Sequence, residues 1–293
     1  MTTIPENKLN AGFIGLGAMG ASMARNVAAS GQLSAVWNRR RSIALEFANK
    51  LGVEACENPA DLAARSKVVF ICVSADPDVL EVVDALMPGL QSDSVVVDFS
   101  TVSAETARRA AAMLEQCGVA FLDCPVSGGV EGAHNGTLAM MVGGDEKVLH
   151  RLMPIMKTMG KRIVHMGPIG AGQATKAVNQ IMVAGINQAV TEALAFGEYQ
   201  GLPIEGLIEV IASGAAGNWF LDHRGLTMTQ NSFNPGFKLK LHHKDLMICK
   251  AMARKMNLDS RLIDTTLEDY AHLMEQGYGD EDISTLYRLK KPQ

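Results

Sequence analysis

The sequence predicts an α/β fold, with a doubly wound parallel sheet in the N-terminal half followed by an all-α C-terminal half. Up to residue 167, short apolar runs of strand length alternate with helical segments. Strands that are apolar on both faces are typical of a parallel sheet covered by helices on both sides. Beyond Gly167 no strand signal follows. We therefore expect two domains, at residues 1–169 and 170–293.

Each element of this prediction has a local signal. The expected strands are 12–14, 33–37, 68–73, 94–98, 119–122 and 138–142. The expected helices are 18–29, 42–51, 79–86, 101–117, 173–199, 204–213, 238–256 and 261–276. Ser103 and Glu105 stand where a helix start favours a capping hydroxyl and an acid. The glycine-rich stretch 123–138 is expected to form a long loop between two strands.

Composition and charge exclude several classes of protein. Apolar residues make up 47% of the 293 residues and charged residues 20%, which is typical of a globular protein with a real core. The net charge of −4 argues against a nucleic-acid surface or a basic membrane patch. No apolar run approaches the roughly 18 residues of a membrane span. The polar start, residues 1–10, lacks the apolar core of a secretory signal.

The five cysteines are scattered and form no C-x-x-C pair. This pattern favours a reducing cytoplasm over a disulfide framework or a zinc site. His242 and His243 have no second set of ligands nearby in the sequence, so we expect no metal.

A Gly-x-Gly-x-x-Gly motif follows the first predicted strand, as Gly15, Gly17 and Gly20. Such glycines permit a tight turn, let a pyrophosphate approach the backbone and bring helix and strand together. The helix expected to begin at Ala18 would offer its N–H groups to the phosphates. A glycine-rich turn without a ligand is the alternative, but the strand–turn–helix context favours a Rossmann-type nucleotide site. The loop residues included in this site are Leu16, Ala18 and Met19.

The end of the second strand indicates which dinucleotide fits. About 20 residues after the glycines, an acid would favour the free ribose 2′-hydroxyl of NAD. Asn38, Arg39, Arg40 and Arg41 stand there instead. Because arginine forks match phosphate oxygens, NADP is favoured over NAD. Arg39 is the strongest candidate for the 2′-phosphate, whereas Arg40 and Arg41 also fit solvated charges at a helix start.

A second glycine motif lies in the expected loop. Ser127, Gly128 and Gly129 present a hydroxyl and backbone N–H groups that could surround a carboxylate. Taken alone, an ordinary loop explains these residues better.

A third motif opens the long helix. Lys176, Asn179 and Gln180 lie three and four residues apart, and therefore on one face. A lysine among apolar neighbours can act as a general acid or base, because burial or a nearby cation lowers its pKa. Taken alone, this motif fits a surface lysine better.

The motifs, in this order, resemble the β-hydroxyacid dehydrogenase family, which includes 3-hydroxyisobutyrate dehydrogenase, tartronate semialdehyde reductase and glyoxylate/succinic semialdehyde reductases. GFIGLGAMGASMARN is similar to the cofactor signature, and DCPVSGGVEGAHNGTLAMMVGG to the substrate loop. GAGQATKAVNQ is similar to the catalytic signature, and FNPGFKLKLHHKDL to a C-terminal segment that contacts the cofactor. The resemblance covers nearly the whole chain, and four motifs in order are far more specific than one.

The resemblance implies a role for each matching residue. Lys176 matches the catalytic lysine, and Asn179 matches the first asparagine of the catalytic helix. Gln180 replaces the second, substrate-contacting asparagine of many relatives with a longer amide, as in the tartronate-type branch. The implied substrate-carboxylate loop is Ser127, Gly128 and Gly129. The implied cofactor contacts are Val73, Ser74, Thr101, Phe237 and Lys244. Asn218 and Trp219 fall where the helical half approaches the substrate, although Trp219 fits core packing equally well.

These residues predict an enzyme that transfers hydride between NADPH and a short acid such as tartronate semialdehyde, succinic semialdehyde or glyoxylate. Lys176 would move the proton, and the family suggests a homodimer or homotetramer. One alternative is a 3-hydroxyisobutyrate-type dehydrogenase working in the oxidative direction. Others are an imine reductase, against which Lys176 argues, and a cofactor-binding protein without turnover.

Overall fold

The computed structural model describes residues 9–291. The predicted absence of a secretory signal concerns residues 1–10, of which residues 1–8 lie outside the described residues. The chain divides into two compact units, Met1–Lys176 and Ala177–Gln293. Among the described residues, no helix is long and apolar enough to cross a membrane.

The first unit is built on one sheet. Its strands are β1 (Ala11–Ile14), β2 (Leu33–Trp37), β3 (Glu54–Ala55), β4 (Val68–Ile71), β5 (Val95–Asp98), β6 (Ala120–Asp123), β7 (Val126–Ser127), β8 (Leu138–Gly143) and β9 (Gly160–Gly167). The order is β3-β2-β1-β4-β5-β6-β8-β7, with β9 also paired to β8. β1 to β6 pair in parallel in the strand order of a Rossmann fold. β8 runs antiparallel to β6 and β7, so the sheet is mixed at this edge.

Helices cover both faces of this sheet. They are α1 (Gly20–Ala29), α2 (Arg41–Leu51), α3 (Pro59–Ala64), α4 (Asp76–Leu86), α5 (Ala104–Glu115), α6 (Gly129–Asn135) and α7 (Glu146–Met156). Neighbouring residues of β1 enter different hydrophobic clusters, Phe13 one and Ile14 the other. The ring of Phe13 packs against Phe70 and Phe99, with centroids 5.9 and 6.4 Å away. The predicted doubly wound architecture is therefore confirmed.

Two local predictions in this unit are wrong. Helix α1 begins at Gly20 rather than Ala18, because the glycine loop occupies the residues before it. The stretch 123–138 is not one loop, since it contains β7 and α6. Gly128 and Gly129 have positive φ angles of 128° and 62°, which turn the chain from β7 into α6. At the start of α5, the Ser103 side chain accepts a hydrogen bond from the Thr106 N–H, as a capping residue does.

The second unit is helical. α8 (Ala171–Tyr199) begins in the first unit, and α9 (Ile204–Ala212), α10 (Trp219–Thr229), α11 (Leu239–Lys255) and α12 (Arg261–Glu275) follow. Short 3-10 helices at Tyr278–Asp280 and Ile283–Leu289 complete the described chain. Between residues 177 and 291 there is no strand, only the isolated bridge between Lys238 and Asp282. The core of this unit includes the fully buried Tyr270 and Tyr287.

Candidate active site

The glycine loop lies where the strand order reverses, between the carboxyl ends of β1 and β4. Ligands bind at this position in open α/β sheets. A Cβ atom on Gly15, whose φ is +91°, would collide with the backbone oxygen of Cys72 just after β4. A Cβ on Gly20 would collide with the backbone oxygen of Gly15. These two glycines are therefore required by the packing of the loop itself.

Gly17 differs from the other two glycines of the motif. A Cβ atom built on it meets no described atom within 4 Å, and its φ lies outside the left-handed region. The packing of the loop therefore gives no reason for a glycine here. A phosphate group lying against the backbone does give one, because a methyl group would occupy its place. The loop thus fits the pyrophosphate of a dinucleotide.

The end of β2 is bonded to this loop. The Oδ1 atom of Asn38 accepts a hydrogen bond from the N–H of Leu16 at 3.0 Å. Arg39 extends outward with a 77% exposed side chain, and its Nη1 lies 3.1 Å from Oδ1 of Asp78. Arg40 directly precedes α2, and Arg41 forms an ion pair with Glu57. Asn38 therefore shapes the loop, and the exposed guanidinium groups of Arg39, Arg40 and Arg41 follow it in the chain.

The ends of β4 and β5 are joined through Ser100. Its Oγ accepts a hydrogen bond from the N–H of Val73 at 2.9 Å, and its own N–H donates to Asp98 at 2.9 Å. Val73 and Ser74 thus lie in a loop next to the one that carries Thr101. The structure brings together these three residues, which the resemblance assigned to the nicotinamide end of the cofactor.

The first turn of α8 is attached to the ends of β5 and β6. Asp123, fully buried at the end of β6, accepts hydrogen bonds from the N–H groups of Gly170 at 2.7 Å and Gln173 at 2.9 Å. Burial raises the pKa of the Asp123 carboxyl, and the bonds from Gly170 and Gln173 oppose that rise. The side chain of Gln173 bonds to the backbone of Ser100 and Val102. Lys176, only 7% exposed, follows three residues later on α8.

The chain leaves β6 at Asp123 and enters β7, where Ser127 pairs with Ala139 of β8. Asp123 therefore connects two segments. One is β6, which is followed by the segment of Ser127, and the other is the first turn of α8, which is followed by Lys176. Ser127 itself is half-buried, and Gly128 is exposed. Lys176 is thus a buried lysine, which corrects the interpretation of its motif as a surface lysine.

In the second unit, three of the predicted residues are connected through Asp245. Asn179 donates to Oε1 of Gln180 at 2.7 Å, and Nε2 of Gln180 donates to Asp245 at 2.6 Å. Nζ of Lys244 lies 3.0 Å from the other oxygen of Asp245. Gln180 and Asp245 are both buried. Both the oxygen and the nitrogen of the Gln180 amide are therefore hydrogen-bonded within the protein.

The remaining predicted residues of this unit have separate surroundings. Asn218 caps α10 by accepting a hydrogen bond from the N–H of Leu221. Trp219 is 57% exposed and stacks on His223 with ring centroids 4.2 Å apart, so it is not a core residue. Phe237 packs against His242 with ring centroids 5.4 Å apart. Within residues 9–291, no group of three His, Cys, Asp or Glu side chains is placed to hold a metal ion.

Two family models match adjoining parts of the chain. Residues 10–167 match the NAD binding domain of 6-phosphogluconate dehydrogenase, and residues 170–290 match the model described as NAD-binding of NADP-dependent 3-hydroxyisobutyrate dehydrogenase. The chain belongs to the β-hydroxyacid dehydrogenase family. It is therefore an NAD(P)-dependent oxidoreductase that acts on a small-molecule substrate.

Individual members of the family are similar over most of their length. The 2-hydroxy-3-oxopropionate reductase of Escherichia coli is 37% identical, over 85% of this chain and 85% of its own. The NAD-dependent L-serine dehydrogenase of Pseudomonas aeruginosa is 33% identical, over 96% and 97%. A solved structure of Mycobacterium tuberculosis 3-hydroxyisobutyrate dehydrogenase with L-serine has a TM-score of 0.89 at 30% identity, covering 97% of this chain and 99% of that one.

Proposed function

We propose that this β-hydroxyacid dehydrogenase reduces a short semialdehyde or keto acid with NADPH, with Lys176 as the proton donor. The observation that carries the proposal is the burial of Lys176 on a helical turn bonded to the carboxyl ends of β5 and β6. The candidate substrates are tartronate semialdehyde, succinic semialdehyde and glyoxylate. The name of the Escherichia coli relative supports this class, since 2-hydroxy-3-oxopropionate is tartronate semialdehyde.

The residues proposed to hold the cofactor follow the carboxyl ends of the strands. The loop from Gly15 to Gly20 would bind the pyrophosphate, and Arg39, assisted by Arg40, would bind the 2′-phosphate. Val73, Ser74 and Thr101 would contact the nicotinamide end. In the helical part we assign Phe237 and Lys244 to the cofactor. Residues 1–169 would thus form the cofactor domain, and residues 170–293 the substrate and oligomerisation domain.

The bound NADPH supplies the hydride, and the protein manages the proton and the orientation. Transfer of that hydride to the carbonyl carbon of the substrate would leave negative charge on the carbonyl oxygen. The ammonium of Lys176 would donate a proton to that oxygen to give the hydroxyacid, and the neutral amine would then regain a proton from solvent. In the reverse direction the neutral amine would accept the hydroxyl proton.

The amides and the Ser127 segment would orient the substrate. The Ser127 hydroxyl and the N–H groups of Gly128 and Gly129 would bind the carboxylate and so fix which carbon faces the cofactor. Asn179 would orient Lys176 or the substrate oxygen. Because Gln180 holds both Asn179 and Asp245, we assign it the positioning of Asn179 rather than a direct bond to substrate. We assign Asn218 and the exposed Trp219 to the substrate side of the helical domain.

Gly17→Ala is expected to weaken NADPH binding by at least about tenfold, or about 1.4 kcal/mol. The added methyl group would occupy the space of the pyrophosphate, but it would clash with no described protein atom. The free energy of unfolding is therefore expected to stay constant or to rise by up to about 1 kcal/mol. Fluorescence titration and urea unfolding measure the two quantities. If the affinity for NADPH did not change, the assignment of the pyrophosphate to this loop would be wrong.

Arg39→Ala is expected to lower kcat/KM for NADPH about 10–100-fold, as the loss of a charge-assisted hydrogen bond would. The value for NADH should stay nearly constant, because NADH has no 2′-phosphate. Arg41→Ala is the matched control, since Arg41 pairs with Glu57. Asp78→Asn should favour NADPH further by releasing Arg39. An NADH preference of the wild type, or a ratio of kcat/KM for NADPH to that for NADH that does not change in Arg39→Ala, would contradict the NADP assignment.

A second candidate function is oxidation of a 3-hydroxyacid by the same residues. It is favoured by the similarity to the dehydrogenases of Pseudomonas aeruginosa and Mycobacterium tuberculosis, whose names or contents include L-serine. Comparison of kcat/KM for L-serine and 3-hydroxyisobutyrate with that for the semialdehydes decides between the two. If kcat/KM for oxidation of one of these hydroxyacids exceeded that for reduction of every semialdehyde, the enzyme would be assigned as a dehydrogenase rather than a reductase.

We also propose that the enzyme is a cytoplasmic homodimer or homotetramer. Met182, Phe196 and Tyr199 of α8 and Val210 of α9 are exposed apolar residues, which are typical of a subunit interface. None of the five cysteines, all within residues 9–291, forms a disulfide bond, as is common in a reducing compartment. Light scattering during size-exclusion chromatography measures the subunit number, and a monomer at micromolar concentration would contradict the assignment.

A further inference from the structure

We infer that Gln173 is a positioning residue of this site, which holds the loop of Thr101 in register with the helical turn that carries Lys176. The inference rests on the proposed function, in which Lys176 moves the proton and Thr101 lies at the nicotinamide end of the cofactor. Gln173 itself would contact neither substrate nor cofactor.

The side chain of Gln173 bonds to the backbone on both sides of Thr101. Its Nε2 donates to the carbonyl oxygen of Ser100 at 2.8 Å, and its Oε1 accepts from the N–H of Val102 at 3.1 Å. The residue is 2% exposed, so water does not replace these bonds easily. Only a side chain that both donates and accepts can make this pair, which an amide does and a carboxylate does not.

The backbone of Gln173 is fixed as firmly as its side chain. Its N–H donates to one oxygen of Asp123, and the other oxygen accepts from Gly170. The start of α8 is therefore attached to β6 through the main chain and to the β5–α5 loop through the Gln173 amide. Since Lys176 lies three residues further on the same helix, it shares a face with Gln173.

The β4–α4 loop depends on the same contact. The N–H of Val73 donates to Oγ of Ser100, whose carbonyl oxygen is the one that Gln173 binds. Loss of the amide would therefore release both loops that carry Val73, Ser74 and Thr101 relative to Lys176. A displacement of about 1 Å at a reacting centre can lower a rate about 10²-fold. The glycine loop, to which the pyrophosphate is assigned, makes none of these bonds, so NADPH affinity should fall less than kcat even though contacts at the nicotinamide end are loosened.

A role in stability alone has to be distinguished from positioning, and Gln173→Glu does this. A protonated carboxylic acid donates one hydrogen bond and accepts another, so it can restore both bonds of the amide. The ionised form only accepts, and one of its oxygens would face the carbonyl oxygen of Ser100 with no proton between them. Gln173→Met is the matched variant, because it has a similar length and no titratable group.

The experiment measures kcat, KM and the Kd for NADPH of the wild type and both variants from mildly acidic to mildly alkaline pH. For Gln173→Met we expect kcat about 10–100-fold below the wild type at every pH, with Kd changed by less than about threefold. For Gln173→Glu we expect the ratio of its kcat to that of the wild type to rise at least about tenfold as the pH falls. Hydrogen exchange of the amides at 100–103 should be faster in Gln173→Met, a readout that needs no turnover.

The outcomes separate the inference from the function on which it rests. A Gln173→Glu ratio that does not change with pH, or wild-type exchange at 100–103 in Gln173→Met, would overturn the positioning role. A parallel fall of kcat, NADPH affinity and stability in both variants would also overturn it, in favour of a structural role. Undiminished turnover in Lys176→Ala would instead overturn the proposed function, while the exchange result would still report on the Gln173 contact.

Discussion

Replacement of Lys176 by alanine is expected to lower kcat about 10²–10⁴-fold, the range of general acid–base catalysis. Lys176 is buried on the turn of α8 that is bonded to β5 and β6, and removal of its amine leaves no proton donor at this position of the helix. The Kd for NADPH should stay nearly constant, because the glycine loop is untouched. Lys176→Arg should lose nearly as much activity, since a guanidinium keeps the charge but does not release its proton.

Single-turnover measurement of hydride transfer checks this prediction, with Lys157→Ala, an exposed lysine at the end of α7, as control. Addition of a small primary amine should restore part of the activity of Lys176→Ala but none of that of Lys176→Arg, whose side chain fills the site. Turnover of Lys176→Ala near the wild-type rate would show that another group moves the proton.

Gly15→Ala is expected to destabilise the first unit by at least about 3 kcal/mol. The new Cβ would collide with the backbone oxygen of Cys72, and the φ of +91° is strained for any residue with a side chain. Neither part of the backbone can move without disturbing β1 or β4. Because the total stability of a protein is about 5–15 kcal/mol, this loss is a large part of the free energy of unfolding.

Urea and thermal unfolding measure this effect, and Gly17→Ala is the matched control two residues away. Gly20→Ala should behave like Gly15→Ala, because its Cβ would collide with the backbone oxygen of Gly15. If the free energies of unfolding of Gly15→Ala and Gly17→Ala differed by less than about 0.5 kcal/mol, the close approach of this loop to β4 would be wrong.

The strands at the centre of the sheet could be predicted because they are apolar on both faces. β4 and β5 are fully buried, so their residues form uninterrupted apolar runs. β9 lies at the edge of the sheet and contains both exposed polar and apolar residues. It therefore lacks the uninterrupted apolar run by which the other strands were predicted, and it was not predicted. Helix α6 was not predicted because its residues, Gly129–Asn135, include two glycines and an asparagine, which disfavour a helix. The helix begins directly after the turn at Gly128. Packing in three dimensions, rather than local preference, determines both elements.

The site was predictable to the extent that it depends on short motifs. Gly15, Gly17 and Gly20 have distinct surroundings in the structure, as the spacing of the motif suggests. Gln173, Asp123 and Asp245 were not identified, because their partners are far away in sequence. Gln173 binds residues 73 and 71 positions away, and Gln180 binds Asp245 at a separation of 65. Periodicity and spacing connect residues within a few positions, so contacts of this length were not accessible from a single sequence.

The most direct test of the central claim is a panel of short acids assayed by the loss of NADPH absorbance. Tartronate semialdehyde, succinic semialdehyde and glyoxylate are compared with aldehydes of matched length that lack the carboxylate, with a cyclic imine and with 3-hydroxyacids in the reverse direction. We predict NADPH-dependent reduction of at least one of the acids, with kcat/KM at least about tenfold above its uncharged counterpart. Reduction of the imine without reduction of any acid, or no turnover with any of these compounds, would contradict the assignment.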